Sequence, residues 1–184
     1  MIKGLKGIKD ALGKSTYLKL EDGQSAVVRI ISPDDFVAVY EHTIKIAGNW
    51  KTITCLGKQT CPLCHINERA SYKVYIPLLD RTDDKVKIFK ASREFIKALI
   101  ALEEEYGDIT KRNLKITRDG KGLNTKYHIF PKDAEEIDLS GYEIPNIEET
   151  VAPMTPEAIR FMMESSLSPE APATDGDEDD EYPF

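Results

Sequence analysis

Short runs of mainly apolar residues recur along the chain before Pro131 and predict β-strands, and the run 85–90 alternates basic and apolar residues. Each run is rich in β-branched and aromatic residues, and the segments between runs carry Gly, Pro, Asp or Ser residues, which favour turns. The predicted strands are 25–31, 36–43, 72–80, 85–90, 113–118 and 126–130. The segment 48–60, between the second and third of these strands, is typical of a hairpin followed by a loop.

One amphipathic helix is predicted between the fourth and fifth of these strands. Ser92 caps its first turn, the helix covers 93–106, and Gly107 ends it. Its apolar face consists of Phe95, Ile96, Leu99, Ile100 and Leu102. Five or six short strands with one helix before the last two are the element order expected of an OB-fold, a small five-stranded barrel. We therefore expect a mainly β (α+β) fold built on an OB-fold barrel.

Composition divides the chain into four predicted parts. Residues 1–20 are rich in Lys and Gly and form a basic N-terminal arm, and 21–132 form the OB-fold domain. A helical extension, with a helix that begins near Pro156, covers 133–167. Residues 168–184 are rich in Asp, Glu, Pro and Ala without periodicity, which predicts a disordered acidic tail.

A metal-ligand pattern lies in the loop 42–70. Cys61 and Cys64 form a C-x-x-C step, Cys55 precedes it, and His42 lies on the preceding strand. A C-x-x-C turn brings two thiolates into one tetrahedral coordination sphere, which a third thiolate and an imidazole can complete. We therefore predict one structural zinc ion (Zn²⁺) held by these four residues, with His65 as the alternative fourth ligand.

Three other interpretations of the cysteines were weighed. They can be free buried thiols, although all three cysteines of the chain lie within ten residues. Cys61 to His65 also matches the C-x-x-C-H signature of covalent haem attachment, which normally requires export. A thioredoxin-like redox pair would need a βαβ unit, which the predicted hairpin and loop do not provide.

Charge is distributed unevenly along the chain. Residues 1–132 hold 24 Lys and Arg against 16 Asp and Glu, a net charge of +8, whereas 133–184 hold one Arg against 16 acids, a net charge of −15. A basic body followed by an acidic end is typical of a polyanion-binding domain with a charged interaction tail.

The predicted strands carry aromatic and basic residues side by side, which is what a protein needs to bind single-stranded DNA: platforms for unpaired bases and cations for phosphates. The predicted aromatic residues are Tyr40, Trp50, Tyr72, Tyr75, Phe89 and Tyr127. The predicted basic residues are Lys45, Lys51, Arg69, Lys73, Arg81, Lys87, Lys90, Arg118, Lys121 and Lys126. About half of the aromatic residues are expected in the core, because aromatic residues in strands are usually buried.

Together these features resemble the single-stranded-DNA-binding (helix-destabilising) proteins of T-even and related tailed bacteriophages. The residues that carry the resemblance are His42, Cys55, Cys61 and Cys64, the run from Tyr72 to Arg81, the basic strand 85–90 and the acidic tail. The resemblance implies an OB-fold with an inserted zinc subdomain that coats single strands during replication, recombination and repair. It also implies the cytoplasm of an infected bacterium. The chain departs from the family in its shorter length and in the tighter gap between Cys55 and Cys61.

The end of the chain is predicted to bind partner proteins. An acidic segment that ends in aromatic residues offers charge for a basic rim and an anchor for an apolar pocket, and it is similar to the tips by which bacterial single-strand-binding proteins recruit replication and repair enzymes. The predicted partner-binding residues are Asp179, Asp180, Glu181, Tyr182, Pro183 and Phe184. The same charges are expected to compete with DNA for the basic body.

Two other functions were considered. Asp80, Asp83, Asp84 and Asp108 can be imagined as metal ligands of a nuclease, but Asp favours turns and we expect no enzyme. A zinc-knuckle adaptor or transcription factor would need a basic recognition helix, whereas 93–106 contains three consecutive glutamates near its end. The chain contains no run of about 18 apolar residues, and its beginning lacks the apolar segment of a secretory signal, so no membrane association is expected.

Overall fold

Seven strands form one antiparallel sheet in the computed structural model, which describes residues 17–46 and 48–165. The strands are β1 (Ser25–Ile30), β2 (Val37–Ile46), β3 (Asn49–Thr54), β4 (Ser71–Asp80), β5 (Lys85–Ser92), β6 (Arg112–Asp119) and β7 (Lys126–Ala134). The helices are α1 (Pro62–His65), α2 (Arg93–Tyr106), α3 (Ile147–Thr150) and α4 (Pro156–Ser165), and short 3₁₀ helices cover Pro33–Asp35, Ile109–Lys111 and Gly122–Asn124. The mainly β prediction is confirmed. The predicted acidic tail, 168–184, and all but the last four residues of the predicted basic arm lie outside the described residues.

Strand β4 is the centre of the sheet because three other strands pair with it. β5 pairs along one side of β4, and the other side is shared end to end by β1 and β2. β2 continues into the hairpin with β3, while β1 pairs with β6 and β6 with β7. One ten-residue strand therefore connects the hairpin β2–β3 to the rest of the sheet.

Barrel closure, which the sequence predicts, is absent from the described part of the chain. Closure would pair β5 with β7, but the sheet stays open between them. The free side of β5 is instead met by the segment before β1, where the amide of Leu18 donates to the carbonyl of Ile88 at 2.9 Å. Leu18 and Leu20 enter the main core, and the Leu20 carbonyl accepts from Arg118 on β6 at 2.7 Å. This segment thus meets, at Ile88, the side of β5 that a closing strand would need, and no described strand pairs with the rest of that side.

The main core lies between the inner face of the sheet and α2. Alternate residues of β4 and β5 point inward, as the period of a strand requires, and α2 places Phe95 and Leu99 against them. The ring centroids of Phe89 and Phe95 are 4.9 Å apart. α2 begins at Arg93, where the Ser92 hydroxyl accepts from the Phe95 amide, and ends before Gly107, as predicted.

The segment after β7 packs back onto the body at two places. Ile147 and Val151 lie against Tyr75 and Ile88 on the outer face of the sheet, and Ile159 of α4 lies in a second, smaller core. The predicted helix near Pro156 is confirmed for its described part, whereas the short α3 was not predicted. α1 covers only four residues and begins between the two cysteines of the C-x-x-C step. Among the described residues, every helix is too short or too polar to cross a membrane.

Helix α2 allows a direct test of the core, because adjacent residues on it differ in burial. Leu99 is 3% exposed and Ile100 is 49% exposed. We expect Leu99→Ala to lower the free energy of unfolding by about 2–5 kcal/mol through the lost contacts and the cavity left behind. Ile100→Ala, the matched control, should change it by less than about 0.5 kcal/mol. Urea unfolding measures both, and equal effects would show that α2 packs through a different face.

Candidate metal centre and nucleic-acid groove

Four metal-ligand side chains meet at the end of the hairpin β2–β3. His42 lies on β2, Cys55 directly follows β3, and Cys61 and Cys64 lie at the start of α1 and within it. Nε2 of His42 is 3.5 Å from the Sγ atoms of both Cys61 and Cys64, and the Sγ atoms of Cys55 and Cys64 are 3.5 Å apart. All four ligand atoms lie within 4.8 Å of one another.

These distances fit one tetrahedral ion. With Zn–S near 2.3 Å and Zn–N near 2.0 Å, a nitrogen and a sulfur ligand should lie about 3.5 Å apart and two sulfurs about 3.8 Å apart. The cluster can therefore hold a metal ion with all four positions filled by protein. His42, not His65, completes it, because the exposed His65 is not part of the cluster.

The loop between Cys55 and Cys61 has a backbone that brings the two sulfurs together. Gly57 adopts a φ of +89°, a conformation that side-chain-bearing residues rarely adopt. Its amide points to the Sγ of Cys55 at 3.4 Å, and its carbonyl accepts from the Cys61 amide at 2.9 Å. Pro62 then begins α1, since its missing N–H costs nothing in the first turn.

A small apolar core surrounds the metal ligands. Ile53, Leu63 and Ile159 are buried there with Cys61, and Met162 and Met163 of α4 pack against them. The metal centre is therefore continuous with the C-terminal helix as well as with the hairpin.

Burial shifts the pKa values of Cys64 and His42. Burial raises the pKa of the Cys64 thiol to about 12, and the neighbouring Cys55 and Cys61 sulfurs add to the rise. Burial also lowers the pKa of His42, opposed by the nearby backbone of Arg69 and by Glu68. A neutral imidazole is the form that binds metal, and a divalent cation provides the positive charge that stabilises thiolates. The three thiols and the His42 imidazole are therefore a ligand set suited to a divalent cation.

A groove of about 790 Å³ opens beside the metal-bearing hairpin. It lies between β3, the last residues of β5, the start of α2 and the turn between β6 and β7. Its lining comprises Tyr17, Leu18, Lys19, Thr52, Thr54, Lys73, Tyr75, Phe89, Lys90, Ser92, Glu94, Phe95, Leu123, Thr125, Lys126, Tyr127, His128, Thr150 and Val151. The groove follows the side of β5 that no strand of the described chain closes.

The hairpin β2–β3 separates the metal centre from the groove. Side chains alternate between the two faces of a strand. His42 and Ile53, which are cross-strand partners, face the metal centre. Glu41, Thr52 and Thr54 are the neighbours of these two residues along their strands, so they point to the opposite face, on the groove side. The metal ligands therefore support one wall of the groove from behind.

Lys73 lies on the floor of the groove beside Lys90, whose charge is paired within the protein. Lys90 pairs with the buried Glu41 at 2.5 Å, and the Tyr75 hydroxyl donates to the same carboxylate at 2.7 Å. Lys73 forms no salt bridge with any described residue. Burial lowers the pKa of its ammonium group, while Glu41 opposes that shift. A half-buried cation of this kind would gain from an anionic ligand.

The predicted DNA-binding residues fall into three groups. Those in the groove lining are Lys73, Tyr75, Phe89, Lys90, Lys126 and Tyr127. Those exposed outside the lining are Tyr40, Lys45, Trp50, Lys51, Arg69 and Lys121. Those with basic groups held by partners within the protein are Arg81, Lys87 and Arg118. Tyr75 and Phe89 are only 5% and 2% exposed, so their rings belong to the cores in this conformation.

Tyr72 lies on the opposite face of β4 from Tyr75. Its ring packs edge to face against Tyr40, with centroids 5.4 Å apart, and the Arg93 guanidinium lies 4.9 Å from the Tyr72 centroid. This cluster is separate from the groove lining. Sequence reasoning missed Arg93, because its contact with Tyr72 depends on the pairing of β4 with β5.

Several groove residues were also missed by sequence reasoning, namely Thr52, Thr54, Leu123 and His128. For Leu123 the sequence holds a signal, because a lone leucine between glycine and asparagine in a turn is unusual. For the threonines there is none, since their position depends on which face of β3 meets the metal centre.

The aspartates considered as nuclease ligands have partners of their own. Asp80 and Asp83 both pair with Lys87, at 2.7 and 3.1 Å, and Asp84 pairs with Arg81 at 2.6 Å. Asp108 accepts from the backbone and side chain of Thr110. Within the described ranges, the His and Cys cluster is the one group of three or more potential metal ligands that come together. The predicted partner-binding residues 179–184 lie outside these ranges.

Metal binding through His42 can be tested against His65. We expect native mass spectrometry to find one divalent metal ion per chain, His42→Ala to lose it and His65→Ala, the matched control, to keep it. The loss should lower the thermal unfolding temperature, because the ion joins the hairpin to α1. Full metal retention in His42→Ala together with loss in His65→Ala would contradict the geometry.

Comparison with known protein families and with characterised proteins finds no family model and no relative that matches the chain.

Proposed function

We propose that this protein binds single-stranded DNA without sequence preference and that the groove beside β5 holds the strand. The observation that carries the proposal is the combination, in one groove, of Lys73 and Lys126 with the half-buried ring of Tyr127, beside the side of β5 that no strand of the described chain closes. Cations along a groove and aromatic faces are the features that sequence-independent single-strand binding requires.

The strand pairings support an OB-fold. If the end-to-end pair β1 and β2 is counted as one bent strand, the order is that strand, β4, β5, then α2, then β6 and β7. The bent strand pairs with both β4 and β6, as the first strand of a Greek-key barrel does. OB-folds are often partly open, and they bind oligonucleotides on the face of their second and third strands and with the flanking loops. In this chain, those elements are β4, β5, the metal-bearing hairpin and the β6–β7 turn.

The metal ion in this proposal is zinc in a structural role. Three thiols and one imidazole with no position left for water form a closed site, which stabilises a fold and does not catalyse a reaction. The ion holds the hairpin wall of the groove. The resemblance to the single-stranded-DNA-binding proteins of T-even-like phages supports the same role for the chain, in replication, recombination and repair.

The acidic end of the chain has the proposed role of recruiting replication and recombination proteins. Its net charge, opposite to that of the body, also lets it compete with DNA for the groove. α4, which precedes this end in the chain, packs on the metal centre.

Competition binding tests the proposal. We expect tighter binding to single-stranded DNA than to duplex, because bases must be unpaired to stack. If about four phosphates are neutralised, log K should fall with log salt at a slope near −3, from roughly −0.7 per phosphate. Equal affinity for duplex, or an affinity that does not change with salt, would contradict the proposed single-strand binding. A strong preference for single-stranded RNA would identify RNA, not DNA, as the ligand.

Two lysine variants locate the binding site within that experiment. Lys73→Gln removes the half-buried groove cation and should reduce the salt slope by about 0.7. Lys85→Gln removes an exposed lysine at the opposite end of the hairpin β4–β5 and should leave the slope nearly unchanged. Equal losses in both variants would indicate a diffuse basic surface instead of the groove.

A further inference from the structure

The turn between β6 and β7 presents one apolar side chain at the groove. Leu123 is 89% exposed, more than any other large hydrophobic residue of the described chain. It lines the groove together with Thr125 and Lys126. An aliphatic side chain held in water gains free energy from any apolar surface that covers it.

The backbone of this turn is built to hold that position. Gly120 has a φ of +85°, and a Cβ atom there would lie 2.4 Å from the carbonyl oxygen of Asn124, so a larger residue would force the turn to move. The Gly120 amide donates to Asp22 at 2.9 Å, and the Asn124 amide donates to the carbonyl of Lys121 at 3.1 Å. The turn is therefore tied to the body at Gly120 and closed on itself between Lys121 and Asn124, with Leu123 between these two residues.

The neighbours of Leu123 identify the kind of ligand that suits it. Lys121 and Lys126, both exposed, lie on either side of it in the chain, and Lys73 and Lys90 belong to the same groove. A protein partner or a membrane would require a contiguous apolar patch. A single apolar contact between cations instead matches a nucleic acid strand, which alternates base faces with phosphates.

We propose that Leu123 packs against the face of an unpaired base while Lys121 and Lys126 contact the adjoining phosphates. This assignment rests on the proposed function and adds a specific base contact to it. Apolar side chains that insert beside bases are used by other proteins that unstack nucleic acid, so such a contact also favours single strands over duplex.

The test compares Leu123→Ser with the unaltered protein on two oligonucleotides of equal length, oligothymidylate and a fully abasic deoxyribose-phosphate strand. We expect about a five- to tenfold loss of affinity for oligothymidylate, from the apolar area no longer covered, and no change for the abasic strand. Ile100→Ser, which removes an exposed aliphatic residue of α2 that lies outside the groove lining, is the control and should bind both strands normally. Leu123→Phe should bind oligothymidylate at least as tightly as the unaltered protein, because an aromatic ring stacks on bases.

The outcomes separate this inference from the proposed function. If the unaltered protein binds neither strand, single-strand binding itself is wrong and the base contact falls with it. If the protein binds oligothymidylate and Leu123→Ser binds it equally well, the base contact alone is overturned. An equal loss on both strands would also overturn it, since Leu123 would then act through the shape of the turn.

Discussion

The two faces of the hairpin β2–β3 impose the constraint on which the proposed site depends. One face carries His42 to the three cysteine sulfurs, and the other forms a wall of the groove. Because side chains alternate along a strand, a shift of β3 by one residue against β2 would turn Ile53 toward the groove and Thr52 toward the metal ligands. The metal centre therefore sets the register of the hairpin, and the register sets the groove.

The side of β5 that no described strand closes is the second feature on which the proposed site depends. Ion pairs within the protein decide which lysines remain available to a polyanion. Arg81, Lys87 and Lys90 each pair with a nearby carboxylate, so their charge is largely used within the protein. Lys73 and Lys126 have no such partner among the described residues, and both line the groove. Lys73 and Lys126 are therefore available to a polyanion in the groove, as are exposed lysines outside it such as Lys45, Lys51 and Lys121.

Local elements could be predicted from the sequence because their signals are local. The Ser92 cap, the end of α2 at Gly107 and the four metal ligands follow from residue types at short spacing. Barrel closure could not be predicted correctly, because the pairing of residues 17 and 18 beside β5 is a long-range contact. The burial of Tyr75 has the same origin, since α3 lies far along the chain from β4. Pattern reasoning identified strands that carry aromatic residues without indicating which rings another segment covers.

Cross-linking tests the central claim, that a single strand lies in the groove, most directly. An oligonucleotide containing 5-iodouracil, irradiated on the protein, links to aromatic side chains in contact with its bases, and mass spectrometry locates the links. The account predicts links at Tyr127, in the groove lining, and at Trp50, on the groove-facing side of β3. Links confined to Tyr106 or Phe161, which are exposed on α2 and α4, would contradict it.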